Sequence, residues 1–134
     1  MCPVPTPPTV LLVDDDPGVR QLASTILSRQ GYRVFVAANG AEALALANST
    51  HEPIDLVLTD MVMPGLTGKQ LAERLLDSRP DIRILFMSGN AGRDSDDARI
   101  RATFLAKPFT ASGLLDKLRD VLQGPPYRLI VPGK

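Results

Sequence analysis

Short runs of apolar residues alternate along this chain with longer stretches in which apolar residues recur every three or four positions. Val10-Leu-Leu-Val13, Arg33-Val-Phe-Val-Ala37, Ile54-Asp-Leu-Val-Leu-Thr59, Ile82 to Met87 and Phe104-Leu-Ala106 are of the first kind and read as five strands. Val19, Leu22, Ala23, Ile26 and Leu27 fall at i, i+3, i+4, i+7 and i+8 and predict a first helix. Asp16 suits its N-cap, Pro17 its first turn and Gly31 its end. Asn39-Gly40 reads as a turn before an alanine-rich helix from Ala41 to about Asn48, whose small face suits close packing on a sheet. Gly68 to Ser78 predicts a third helix through Leu71, Ala72, Leu75 and Leu76, with Pro80 stopping it and pushing Arg79 out of helical geometry. A last helix, Ser112 to Leu122, turns Leu114, Leu115, Leu118, Val121 and Leu122 inward.

Strands that are apolar throughout and separated by helices indicate a parallel sheet covered on both faces and joined by right-handed crossovers. The expectation is a single α/β doubly wound domain of five β-α units. Ligands in such folds sit beyond the carboxyl ends of the strands, an edge that gathers Asp14, Asp15, Asp60, Ser88 and Lys107. Asp60 closes the third apolar run and is followed at once by Met61-Val-Met-Pro64-Gly65, while Asp14-Asp-Asp16 closes the first. Two strand ends carrying carboxylates suggest one divalent-metal site. Two carboxylates ~5 Å apart at an effective dielectric of ~20 repel by about 3 kcal/mol, which a cation removes.

Composition narrows the picture. The 134 residues suit one domain with one independent core. Lys plus Arg and Asp plus Glu balance at 15 each, so no net field draws the chain to nucleic acid or an anionic membrane. Cys2 is the only cysteine, which excludes an internal disulfide and a multi-cysteine metal site and fits a cytoplasmic protein. No apolar run approaches the ~18 residues of a membrane helix, and the start lacks the basic and apolar regions of a signal peptide. Seven of the 12 prolines lie outside residues 9–124. The expected organisation is therefore a proline-rich leader at 1–8, a folded unit at 9–123 and a tail or linker at 124–134, too short for a DNA-binding domain.

Four pieces in order carry a resemblance: Val13-Asp14-Asp15 after the first strand, Asp60-Met-Val-Met63-Pro64 with Gly68 after the third, Ser88 after the fourth, and Lys107-Pro108-Phe109 after the fifth. Over about residues 9 to 123 the chain resembles the receiver domain of two-component response regulators, a flavodoxin-like fold with strand order 2-1-3-4-5. The resemblance implies that Asp60 is the phosphoacceptor, that Asp15 and Asp60 ligate Mg2+ (or Mn2+) directly with the Val62 backbone carbonyl, and that Asp14 holds the ion through water. Lys107 would contact the phosphoryl group, Ser88 would donate its hydroxyl to it, and a cis Lys107-Pro108 bond would aim the ammonium. Ser88 and Phe104 would form the switch, Phe104 rotating inward as Ser88 moves toward phosphorylated Asp60. Val62 and Asn90 would tune loss of the phosphoryl group. The implied partners are a histidine kinase or histidine phosphotransfer protein and a downstream protein, with a phosphorylation-dependent dimer in reach, and no direct contact with nucleic acid or membrane insertion.

Residues 91 to 101 offer only Ala98 and Ile100 as useful apolar anchors near the helix end, so the fourth helix is expected to be short or mobile. Ser88-Gly89 and this shortened segment look similar to receivers attached to hybrid histidine kinases. His51, before Pro53, reads as a solvated loop residue, so a phosphohistidine donor must come from another protein or another domain. Two rival classes remain in view. An aspartate-nucleophile phosphohydrolase shares the layout but shows D-x-D where Asp60 is followed by Met61 and Val62. A phosphorylation-independent interaction module would not need the acidic pair, Ser88 and Lys107 together.

Overall fold

The computed structural model describes residues 7–88, 104–107 and 109–123. The leader's first residues, the side chain of Ser88, Asn90, the expected fourth helix, the Lys107-Pro108 isomer and the tail at 124–134 lie outside the described residues. In chain order the elements are β1 (Thr9–Val13), α1 (Pro17–Arg29), β2 (Arg33–Ala37), α2 (Gly40–Ser49), β3 (Leu56–Asp60), α3 (Gly68–Ser78), β4 (Arg83–Ser88), β5 (Phe104–Ala106) and a C-terminal helix (Ala111–Gln123). The five strands form one parallel sheet in the order β2-β1-β3-β4-β5. The doubly wound, flavodoxin-like arrangement is thus present.

Alternation along the strands divides the core into two layers. Leu11, Val13, Val57, Ile84, Phe86 and Phe104 face one side, where α2 and α3 cover them with Ala43, Ala47, Leu71, Ala72 and Leu75. Val10, Leu12, Leu56, Leu58, Leu85, Met87 and Leu105 face the other, under Ala23 and Leu27 of α1 and Leu114 and Leu118 of the C-terminal helix. Both faces being covered explains why the central strands are apolar along most of their length, and β1 is buried from end to end.

The helix ends follow side-chain chemistry. Asp16 accepts a hydrogen bond from the Gly18 amide and caps α1, with Pro17 at its start, and Gly31, at φ 93°, closes it as anticipated. Asn39 does not make a simple turn: its side chain accepts from the Glu42 amide and caps α2, so Gly40 is already helical. Thr67 and Gln70 form a reciprocal capping box on α3. Leu22 is 51% exposed rather than inward. At 100° per residue it lies well off the line through Ala23 and Leu27, so the inward stripe leaves it at the margin. β3 begins at Leu56 rather than Ile54, and just before it the Asp55 carboxylate accepts the Thr9 amide at 2.7 Å.

Arg79, the residue expelled from α3 by Pro80, ties three segments together. Its Nη1 donates to the Glu52 carbonyl at 3.1 Å, and its Nη2 to the carbonyls of Ala47 at 2.9 Å and Thr50 at 3.2 Å. These acceptors lie at the end of α2 and just after it, where helix carbonyls lack intrahelical partners and a cation is favoured. Arg79→Met is expected to lower the unfolding free energy by about 2–3 kcal/mol in urea denaturation. Arg79→Lys should recover less than half of that loss, because an ammonium lacks the planar fork that reaches several carbonyls at once.

Candidate functional site

Strand register brings the acids together. Val13 pairs with Thr59 across β1 and β3, so the next residues, Asp14 and Asp60, emerge side by side. Asp60 pairs with Met87, and Ser88 with Ala106, which places Lys107 one step beyond β5 at the same edge. Asp14, Asp15 and Asp60 each offer a carboxylate oxygen within 4.8 Å of the others. The structure thus gathers the Asp14, Asp15, Asp60 and Lys107 of the sequence reading, with Ser88 contributing its backbone at the end of β4.

Three consecutive aspartates have three different situations. Asp14 is fully buried; its Oδ1 accepts from the Asp16 amide at 2.9 Å and its Oδ2 from Lys107 Nζ at 2.8 Å. Asp15 is exposed, and Asp16 serves as the helix cap. Lys107 Nζ also lies 3.2 Å from Asp60 Oδ2, so one ammonium bridges the two strand-end carboxylates. The Asp60 side chain is 14% exposed, which leaves one of its edges open to solvent and to an incoming group.

Backbone contacts fix the Asp60 corner. The Thr59 hydroxyl donates to the Asp60 carbonyl at 3.0 Å, and the Met61 amide to the Met87 carbonyl at 3.0 Å. The start of α3 presses on the same peptide: a Cβ on Gly68 would lie 2.4 Å from the Asp60 carbonyl oxygen. Only glycine permits that approach.

Burial pushes the Asp14 carboxyl up from its ordinary value; the Lys107 hydrogen bond and the Asp16 amide pull the other way, and the Asp60 charge adds to the rise. For Lys107, burial alone would lower the ammonium's affinity for its proton, but the hydrogen bond to Asp14 and the charges of Asp14 and Asp60 outweigh it and the net shift is upward. The lysine is therefore firmly cationic. An all-oxygen donor set crowded around one point fits a hard divalent cation.

Val62 is 76% exposed beside the site, and its amide lies 3.4 Å from Asp60 Oδ1. Phe104 is buried, its ring 5.3 Å from that of Phe86. It already occupies the inward position, because packing on Phe86 suffices to bury a phenyl ring. His51 is exposed, as its loop position suggested. Sequence reasoning passed over two contributors. Thr59 fell within a strand run with no role assigned to it, and Arg20, whose Nη1 donates to the Asp14 carbonyl at 2.7 Å, was not singled out at all. The signal for Arg20 is its place one helical turn after the cap Asp16.

Comparison with known proteins agrees with this geometry. The response regulator receiver domain family matches residues 10–119, and the chain belongs to that family. It is 35% identical over 117 residues to sporulation initiation phosphotransferase F of Bacillus subtilis, covering 85% of this chain and 90% of that protein. It is 36% identical over 118 residues to sensor kinase CckA of Brucella abortus, covering 86% of this chain but only 12% of that much longer protein. Its fold matches the chemotaxis response regulator CheY4 of Vibrio cholerae with a TM-score of 0.76 at 30% identity, over 87% of this chain and 99% of that one. The protein is a signalling receiver domain of two-component systems. Among the described residues, no helix is long and apolar enough to cross a membrane.

The bridge by Lys107 has a pH signature. Lys107→Met leaves Asp14 and Asp60 facing each other without a cation, and near pH 8 in metal-free buffer it should lower stability by about 1–3 kcal/mol. The Asp14 carboxyl is shifted upward, so the folded state holds that proton more tightly than the unfolded chain, and ionised Asp14 opposes folding more as pH rises through its folded value. The penalty of the substitution should therefore shrink as pH is lowered toward about 5. Urea melts of both proteins at the two pH values check it, a constant difference being the contrary result.

Proposed function

We propose that Asp60 is the phosphoacceptor and that Asp14, Asp15 and Asp60, with the Val62 carbonyl, hold Mg2+ (or Mn2+), Asp14 through water. The observation that carries this reading is the convergence of three carboxylates and one lysine at a single sheet edge, with Asp60 open to solvent on one side. Mg2+ favours octahedral oxygen coordination and keeps several waters, so a few carboxylates and a phosphoryl oxygen complete its shell, and when bound it supplies charge neutralisation at the phosphoryl oxygens.

The chain's own residues do the rest. An Asp60 carboxylate oxygen attacks phosphorus in line with the nitrogen of a phosphohistidine on a histidine kinase or phosphotransfer protein. The new P–O bond forms as the P–N bond breaks, its electron pair going to the imidazole nitrogen; a proton from solvent on the ring lets the histidine leave neutral. The product is an acyl phosphate on Asp60 and a free histidine. Lys107, firmly protonated, moves its charge from the Asp60 carboxylate to the phosphoryl oxygens as a point-charge donor. Gly68 and Thr59 keep the Asp60 peptide still while this happens.

Switching follows from differential contacts. A phosphoryl group that draws the Ser88 hydroxyl stabilises the arrangement in which Phe104 keeps the inward position it already holds against Phe86, and the population of that arrangement rises. The face around β5 and the C-terminal helix then changes its affinity for a downstream partner or a second copy of the chain. Similarity to sensor kinase CckA supports a place in a hybrid histidine kinase, and the folded unit is proposed as 9–123, in the cytoplasm. A phosphohydrolase is disfavoured by Met61 and Val62 after Asp60.

Incubation with Mg2+ and acetyl phosphate, followed by intact-mass measurement, tests the assignment. Wild type should gain one phosphoryl group and Asp60→Asn none, whereas equal uptake by both unseats Asp60. A steady turnover of phosphomonoesters would favour the hydrolase. The exposed apolar Val62 cannot orient an attacking water, so Val62→Asn should speed loss of the phosphoryl group by about tenfold. Decay of the phosphorylated mass at the wild-type rate would remove that role.

A further inference from the structure

We infer that Arg20 is a positioning residue for the acidic site: by holding the Asp14 carbonyl it fixes the peptide between Asp14 and Asp15, and with it the direction of the Asp15 carboxylate. The inference rests on the reading of Asp14, Asp15 and Asp60 as a cation site.

The geometry is local and specific. The Arg20 amide donates to the Asp16 carbonyl at 3.0 Å as part of the first turn of α1. Its side chain runs back past the helix start, and Nη1 reaches the Asp14 carbonyl at 2.7 Å, a short charge-assisted bond in a partly buried setting. A guanidinium at a helix N-terminus is opposed by the helix dipole, and the bond to the Asp14 carbonyl offsets that cost. Asp14 has independent anchors, the Asp16 amide and Lys107. Asp15 has none of that kind: among the described residues its carboxylate has no hydrogen-bond partner, yet it lies within 4.8 Å of the other two acids. Its direction is therefore set by the backbone, and the peptide that sets it is the one Arg20 grips.

Two effects of Arg20 oppose each other, which makes the idea testable by sign. As a bare positive charge it repels a cation, and removing it would tighten metal binding. As a positioning group it holds a ligand in place, and removing it would weaken binding by about tenfold, the usual scale for groups that orient metal ligands. The probe is Mn2+ alone, titrated at neutral pH with free ion followed by electron paramagnetic resonance, on the full chain.

Arg20→Met should weaken Mn2+ binding, and Arg20→Lys, which keeps the charge and a donor, should recover most of it. Uptake of the phosphoryl group from acetyl phosphate should fall in Arg20→Met at limiting Mg2+ and return to within about twofold of wild type at saturating Mg2+. A merely structural role would not produce that metal-dependent rescue. Should Arg20→Met melt below the assay temperature, Arg20→Gln, a shorter neutral donor, takes its place with the same expected direction. Unchanged or tighter Mn2+ binding, or an Arg20→Lys variant no better than Arg20→Met, overturns the inference while leaving the cation site intact. A wild type that binds no Mn2+ overturns the site and this inference together.

Discussion

Like charges held close together are the constraint to which the rest of this fold answers. Asp14 and Asp60 emerge side by side because β1 and β3 are parallel neighbours in register, and Asp14 is fully buried. Neither would stay there by its own energetics. Lys107 offsets part of the repulsion with one ammonium shared between them, and the Asp14 carboxyl is still shifted upward, chiefly by its burial and to a lesser degree by the Asp60 charge. The frame must therefore be stiffer than the site. Two apolar layers, one on each face of the sheet, supply that stiffness, since sliding β1 against β3 by one residue would turn every core side chain of the strand to the wrong layer.

Local devices then refine what the register begins. Gly68 lets α3 start against the Asp60 peptide, and the Thr59 hydroxyl bonds the same carbonyl. On the neighbouring strand Arg20 holds the carbonyl of Asp14. Each strand-end acid thus has its own backbone clamped by a side chain or a close packing contact. This is how loop residues at the edge of a doubly wound sheet acquire precision that loops usually lack.

Much of this was legible in the sequence because the signals are short-range. Apolar runs marked all five strands, and carboxylates at the ends of two of them located the site. What stayed hidden depends on side chains that choose a partner only in the folded chain. Asn39-Gly40 has turn composition, yet the Asn39 side chain finds the Glu42 amide and the helix begins one residue early. Ile54 has strand composition, yet the strand begins at Leu56, and the Asp55 carboxylate bonds the amide of Thr9, 46 residues away. Leu22 fitted a periodic template whose centre only the packed structure reveals. Arg20 and Arg79 bond backbone carbonyls, acceptors present at every residue and therefore carrying no sequence mark.

Charge balance links the resting site to its proposed chemistry. One ammonium set against three carboxylates leaves two negative charges uncompensated, the deficit a divalent cation matches. Replacing the Asp60 carboxylate by a phosphoryl dianion would make the site one charge more negative and add oxygens that need donors. Lys107 is already within reach and holds its proton firmly. The remaining demand would fall on the neighbouring strands, where Ser88 ends β4 and Phe104 begins β5. In the proposed chemistry, a local excess of one negative charge would become a pull on the edge of the sheet farthest from β2, which is where a change in partner binding would begin.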